Sequence, residues 1–156
     1  MCSLMGSVMD AKLSALIVVG SFHTEVCGQL VKGAIERIKA YNAAAECKVI
    51  EVPGALEIPP AISFAVMSDR ESYDGFVALG CVLKGYTDHN IHVSNSAFSA
   101  LSDIAVQHAV PMGTGIITAD TMSLAMERAD VNGINIGGRA AAAMLRMLEL
   151  YRRFLG

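Results

Sequence analysis

The chain reads as an α/β protein, a three-layer sandwich in which helices flank a four-stranded parallel sheet. Two observations predict this. Short apolar runs of strand length alternate with longer stretches whose apolar residues recur every three or four positions, from Leu13 to the C-terminus. The short runs are apolar throughout rather than on alternate residues, as expected of strands covered by helices on both faces.

Residues 13–19 read as the first strand, with Gly20-Ser21-Phe22-His23 as the loop at its carboxyl end. Thr24 stands where it would cap a helix reaching Tyr41, with Cys27, Leu30, Val31, Ala34, Ile35, Ile38 and Tyr41 inward and Glu25, Lys32, Glu36 and Lys39 outward. Residues 47–52 form the second strand and run into Pro53-Gly54-Ala55-Leu56-Glu57. Pro59 and Pro60 suit the first turn of the next helix, whose N–H groups lack intrahelical partners, and Ile58, Ile62, Ala65 and Val66 make its apolar side. A charged turn over 68–75 leads to the third strand, 76–83, which stops at Lys84-Gly85. The helix after His89 carries Val93, Ala97, Ala100, Leu101, Ile104 and Ala105 at helical spacing and ends near His108. Val110-Pro111 opens the fourth strand, which reaches Thr118. Ala119-Asp120-Thr121 caps a short helix with Met122, Ala125, Met126 and Ala129 inward, and 130–138 is a connector. The final helix spans 139–154.

A chain of 156 residues is one domain with room for a full core, here 13–156, preceded by residues 1–12 as a mobile arm. Hydrophobic residues make up 53% and charged residues only 17%, more apolar than a soluble monomer needs. No apolar run is long enough to span a bilayer, so the surplus points to surface buried between copies in a homo-oligomer. The net charge of −3 and the lack of a basic stripe argue against nucleic acid. The start lacks the basic region of a secretory signal, and Cys2, Cys27, Cys47 and Cys81 form no C-x-x-C pair, which fits reduced thiols in the cytoplasm.

The chemistry concentrates where the third strand hands over to its helix. Gly85, Thr87 and His89 stand at the carboxyl edge of a parallel sheet, where ligands collect and the free N–H groups of a helix start attract anions. Phosphate binding beside proton transfer is the expectation; a helix-start histidine without chemical duty is the alternative. Gly80 to Thr87 imitates a nucleotide phosphate loop, but Tyr86 replaces its lysine, which excludes that reading. His89 and His92 could share a helix face, yet no carboxylate or thiol completes a metal set at ligand spacing. Glu57 either serves the helix dipole or reads a polar planar ligand beside the exposed backbone of Pro53-Gly54-Ala55. Phe22 is either a ligand contact or a lid over the first helix.

Phe22 after the first strand, Val52-Pro53-Gly54-Ala55-Leu56-Glu57-Ile58-Pro59, the run from Ala78 through Lys84-Gly85-Tyr86-Thr87-Asp88-His89, Gly115-Ile116-Ile117-Thr118-Ala119-Asp120-Thr121 and Ala125-Met126-Glu127-Arg128-Ala129 resemble the signature of the lumazine synthases. The resemblance implies a flavodoxin-like fold and pentamers, alone, stacked in pairs or built into shells, with active sites between neighbouring subunits. It implies condensation of 5-amino-6-ribitylaminouracil with 3,4-dihydroxy-2-butanone 4-phosphate to give 6,7-dimethyl-8-ribityllumazine and phosphate, in riboflavin synthesis. No metal or organic cofactor is implied, and riboflavin synthase is a candidate partner. Carried over residue by residue, His89 shuttles protons, while Tyr86 and Thr87, through backbone N–H groups, and Arg128 hold the phosphate. Phe22 stacks on the pyrimidine, Ala55, Leu56 and Glu57 contact its uracil and ribityl side, Cys81, Val82 and Leu83 line the floor, and Thr114 belongs to the pocket wall. The chain departs from the family pattern at His23, Leu56, Asn90, Thr114 and Ile136, the last in place of a lysine. A pentameric binder of lumazine or flavin is therefore the alternative function. A flavin electron carrier is disfavoured, because residues 20–26 lack the hydroxyl- and glycine-rich loop it needs.

Overall fold

The computed structural model describes residues 12–156, so the expected arm lies outside the described residues except for Lys12, whose ammonium pairs with Glu46 at 2.7 Å. Four strands, β1 (Ser14–Gly20), β2 (Glu46–Val52), β3 (Gly75–Leu83) and β4 (Met112–Ala119), pair in the order β2-β1-β3-β4, all parallel. Between and after them come α1 (Thr24–Tyr41), α2 (Ile58–Met67), α3 (His89–His108), α4 (Met122–Ala129) and α5 (Ile136–Leu155), with a 3-10 turn over Ala55–Glu57. This is the three-layer, flavodoxin-like α/β arrangement. Among the described residues no helix is long and apolar enough to cross a membrane.

Strand geometry sends alternate side chains to opposite faces, and each face has its own core. On one side Ala15, Ile17 and Val19 of β1 and Val77, Leu79 and Cys81 of β3 pack with α1, α4 and α5. On the other, Leu16, Val18, Phe76, Ala78 and Ile116 pack with α2 and α3. The central strands β1 and β3 are buried almost throughout, as their apolar runs predict. β2 is not: it is an edge strand, and Glu46, Lys48, Val49, Ile50 and Glu51 are exposed.

Two helix starts differ from the sequence expectation. His23, not Thr24, occupies the cap position of α1, and no side chain bonds the first turn there. α5 begins at Ile136, three residues before its expected start. Asn135, in the left-handed conformation at φ 53°, accepts from the N–H of Gly138 through its side chain and caps the helix. Gly137 and Gly138 thus sit inside a helix that their propensity opposes. The reason is packing: a Cβ on Gly137 would come within 2.0 Å of the Leu30 carbonyl oxygen of α1. Thr121 caps α4 as expected, accepting from the Leu124 N–H at 3.2 Å.

Candidate active site

From β1 the chain moves outward to β2 and then back across to β3, so the strand order reverses between β1 and β3. Loops leaving the carboxyl ends of these two strands diverge there and open a crevice, the usual ligand position in such sheets. The loop after β1 is pinned to the one after β2. The Ser21 N–H donates to the Val52 carbonyl at 2.9 Å, and a Cβ on Gly20 would stand 2.9 Å from the Gly54 carbonyl carbon. Only a residue without a side chain permits this approach, which holds the start of the loop bearing Phe22 against the turn at Gly54 and Ala55. Phe22 is 80% exposed, its ring edge-on to His23 at a centroid distance of 4.9 Å. It is presented to solvent rather than folded down as a lid.

The segment after β2 turns on itself where the Glu57 N–H reaches the Gly54 carbonyl at 3.2 Å. Ala55 is buried in the sheet-facing core, whereas Leu56 and Glu57 are exposed. Glu57 occupies the cap position of α2, with Pro59 and Pro60 in the first turn, as the sequence predicts. α2 then rests on β3, where a Cβ on Gly80 would meet Ile58 Cδ1 at 3.2 Å.

The expected floor residues divide between the two faces. Val82 points toward α2 and α3, on the side of Ala55 and Ile58. Cys81 and Leu83 point toward α1, so they face the crevice with their backbone rather than their side chains. Burial, and secondarily the Cys27 thiol nearby, push the Cys81 thiol up to about 11. Burial likewise raises Cys27, whose Sγ–H donates to the Gly20 carbonyl at 2.8 Å. Neutral, desolvated thiols of this kind are structural rather than nucleophilic.

β3 ends with the Lys84 N–H on the Ala119 carbonyl at 2.9 Å, and residues 84–88 are all exposed. The Thr87 hydroxyl accepts from the His89 N–H at 3.3 Å, fixing the entry to α3. The Asp88 carbonyl accepts from the Ile91 N–H at 3.0 Å. Tyr86, Thr87 and His89 are therefore gathered at one helix start. Arg128, in the last turn of α4, donates from Nη1 to the Thr118 carbonyl, on the far side of β3 from Phe22. Thr114 is exposed on the α3 face of edge strand β4, five residues before its last residue Ala119 and so about 17 Å back from the carboxyl edge. Within one chain it does not join the crevice.

A second concavity adjoins the crevice between α3 and the end of β4, about 360 Å³ in volume. Lys84, Asp88, Asn90, Ser94, Thr118 and Asp120 give it a polar wall, and Ile91 and Phe98 an apolar one. The sequence reading named no ligand role for Lys84, Ser94 or Asp120. The two-residue period of β3 was the available signal for Lys84, which follows Val82 on the same face. Among the described residues, no three or more His, Cys, Asp or Glu side chains gather as a metal set.

The 6,7-dimethyl-8-ribityllumazine synthase family model matches residues 12–152. A 6,7-dimethyl-8-ribityllumazine synthase of Bartonella tribocorum is 43% identical over 146 residues, covering 94% of this chain and 95% of the relative. One of Nitrobacter hamburgensis is 44% identical over 142 residues, covering 89% and 86%. One of Methylobacterium radiotolerans is 43% identical over 137 residues, covering 88% and 81%. A match over nearly the whole sheet and all five helices, on both chains' lengths, means that this protein belongs to the 6,7-dimethyl-8-ribityllumazine synthase family.

Proposed function

We propose that the protein condenses 5-amino-6-ribitylaminouracil with 3,4-dihydroxy-2-butanone 4-phosphate, releasing 6,7-dimethyl-8-ribityllumazine, phosphate and water, in the cytoplasm. What supports this reading is membership of this family, together with a strand order that sets the segments bearing Phe22, Ala55 to Glu57 and the Thr87–His89 helix start at the carboxyl ends of β1, β2 and β3. The exposed Phe22 ring stacks on the pyrimidine, and the turn at Ala55 to Glu57 reads its polar edge together with backbone groups at Cys81 and Leu83. Thr87 and Tyr86 offer N–H groups, and Arg128 a planar guanidinium, to the phosphate.

The reaction needs protons moved at each stage. The pyrimidine amine adds to the ketone and water leaves. Loss of the C3 proton to a base then lets the C4–O electron pair depart with phosphate. The resulting enol becomes a second carbonyl, and the ribityl-bearing nitrogen closes the ring on it with loss of another water. His89, at the start of α3 beside Thr87, serves as this base and acid, since imidazole exchanges protons near neutral pH. Much of the acceleration comes from holding the two reactants together.

The site is completed between neighbouring subunits of a pentamer. Thr114 supports this, because it lies exposed on an edge strand away from its own chain's crevice, open to a neighbouring copy. So do Phe64, Val106 and Phe154, apolar side chains each at least 70% exposed. Riboflavin synthase, which uses the product, is the proposed partner protein. The test is to mix purified protein with both substrates and follow lumazine fluorescence against the uncatalysed rate. A large enhancement, reduced but not abolished in His89→Ala, is the expected result. A rate equal to background with bound lumazine would instead make the protein a binder.

A further inference from the structure

The cleft between α3 and the end of β4 has no role in the site as described so far, although Lys84, Asp88 and Asn90 on its wall flank Tyr86, Thr87 and His89. Lys84 is its cation. The side chain follows Ala78 and Val82 in the alternation of β3, so it emerges on the face shared with α3. Its backbone cannot drift, because its N–H extends the β3–β4 ladder onto Ala119. Its ammonium is uncommitted: the ion pairs found among the described residues use Lys12, Lys48 and Arg146.

We propose that Lys84 is a further phosphate-binding residue of the reaction proposed above. It reaches the phosphoryl group from the cleft side while the start of α3 holds it from the other. A phosphate ester near neutral pH carries close to two negative charges, and it gains more on its bridging oxygen as the C4–O pair departs. A helix start contributes only a partial charge, and one guanidinium a single one. An ammonium on a flexible stem, anchored two residues before Tyr86, supplies the balance as a mobile point charge. Asp88 and Asp120 line the same cleft and oppose the anion. Their like charge weakens the hold on the anion, which favours release of the product.

The two signs give the proposal a signature that loss of structure does not imitate. Lys84→Met is expected to raise both the KM for the four-carbon phosphate and the inhibition constant of inorganic phosphate by about tenfold, the loss of one charge-assisted hydrogen bond. The KM for the pyrimidine should stay within about twofold and Lys84→Arg should recover most of the effect. Asp120→Asn should shift inorganic phosphate the other way, toward tighter binding. Unchanged phosphate constants in Lys84→Met, an equal rise in both KM values, or weaker phosphate binding in Asp120→Asn would overturn the assignment. Titration of the assembled protein with inorganic phosphate by calorimetry keeps the two readings apart. If wild type binds phosphate and Lys84→Met does not, Lys84 stands even where no lumazine is formed. If lumazine forms and both bind phosphate alike, Lys84 falls while the reaction stands.

Discussion

Gly20→Ala places a methyl group where the end of β1 meets the turn after β2. The new carbon would stand 2.9 Å from the Gly54 carbonyl carbon, 3.2 Å from its oxygen and 3.2 Å from the Ala55 nitrogen. All three are backbone atoms, so no side chain can swing aside, and the two loops must part by several tenths of an ångström. Overpacking of this kind costs about 1–3 kcal/mol, and for a chain of this length each kcal/mol lowers Tm by about 2–4 °C, so a fall of about 2–12 °C is expected. The loops that part carry Phe22 on one side and Ala55 to Glu57 on the other. The KM for the pyrimidine should therefore rise by about tenfold, as for one mispositioned stacking or hydrogen-bonding contact. The KM for the four-carbon phosphate should hardly move. Gly28→Ala is the matched control: nothing lies within 4 Å of its added carbon, and in the interior of α1 it should raise Tm slightly. Calorimetry and steady-state kinetics on the three proteins decide the matter. A Gly20→Ala protein with unchanged Tm and unchanged pyrimidine KM would refute the argument that this contact sets the pocket.

Arg128→Ala should raise the KM for the four-carbon phosphate far more than that for the pyrimidine; equal effects would remove Arg128 from the phosphate role. Gly137→Ala drives a carbon to 2.0 Å from the Leu30 carbonyl and should cost more stability than Gly20→Ala, as read by its midpoint in urea. A milder loss would mean that α5 slides freely on α1. The Cys81 thiol, raised from 9.0 to about 11 by burial, stabilises the fold in its neutral form. That contribution is complete below the unfolded value and is lost as pH climbs through the folded one, so Tm should decline between about pH 9 and pH 11. Cys81→Ala should flatten this decline, and an equally steep decline in the variant would assign it to other groups.

Much of the fold was legible because local and global signals agree. The unbroken apolar runs of β1 and β3 announce strands buried on both faces, and Pro59-Pro60 marks a first helical turn. β2 was read no differently, although its Glu46, Lys48 and Glu51 were consistent with an edge; position in a sheet depends on strand order, which a local pattern does not carry. The start of α5 was missed for a different reason. Gly137 and Gly138 argue against helix by propensity, and what overrides this is the close approach of α1 a hundred residues away in sequence. For the site, the handover at Thr87 to His89 was readable as a strand end meeting a helix start. The facing of Val82 against Cys81 and Leu83 follows from the strand period once the helices are assigned to faces. Thr114 was reached through resemblance alone, since an exposed threonine on an edge strand announces no chemistry of its own.

The proposed reaction requires the start of α3 and Arg128 to serve one phosphate, within a chain or across a subunit boundary, with the pyrimidine on Phe22. A crystal structure of the assembled protein with a phosphate-bearing analogue of the four-carbon substrate and the pyrimidine tests this directly. Phosphate oxygens are expected within hydrogen-bond distance of the Thr87 N–H and of an Arg128 guanidinium, with the His89 imidazole beside the reacting carbons. Phosphate held elsewhere, or His89 and every Arg128 too far apart to reach one anion, would contradict it.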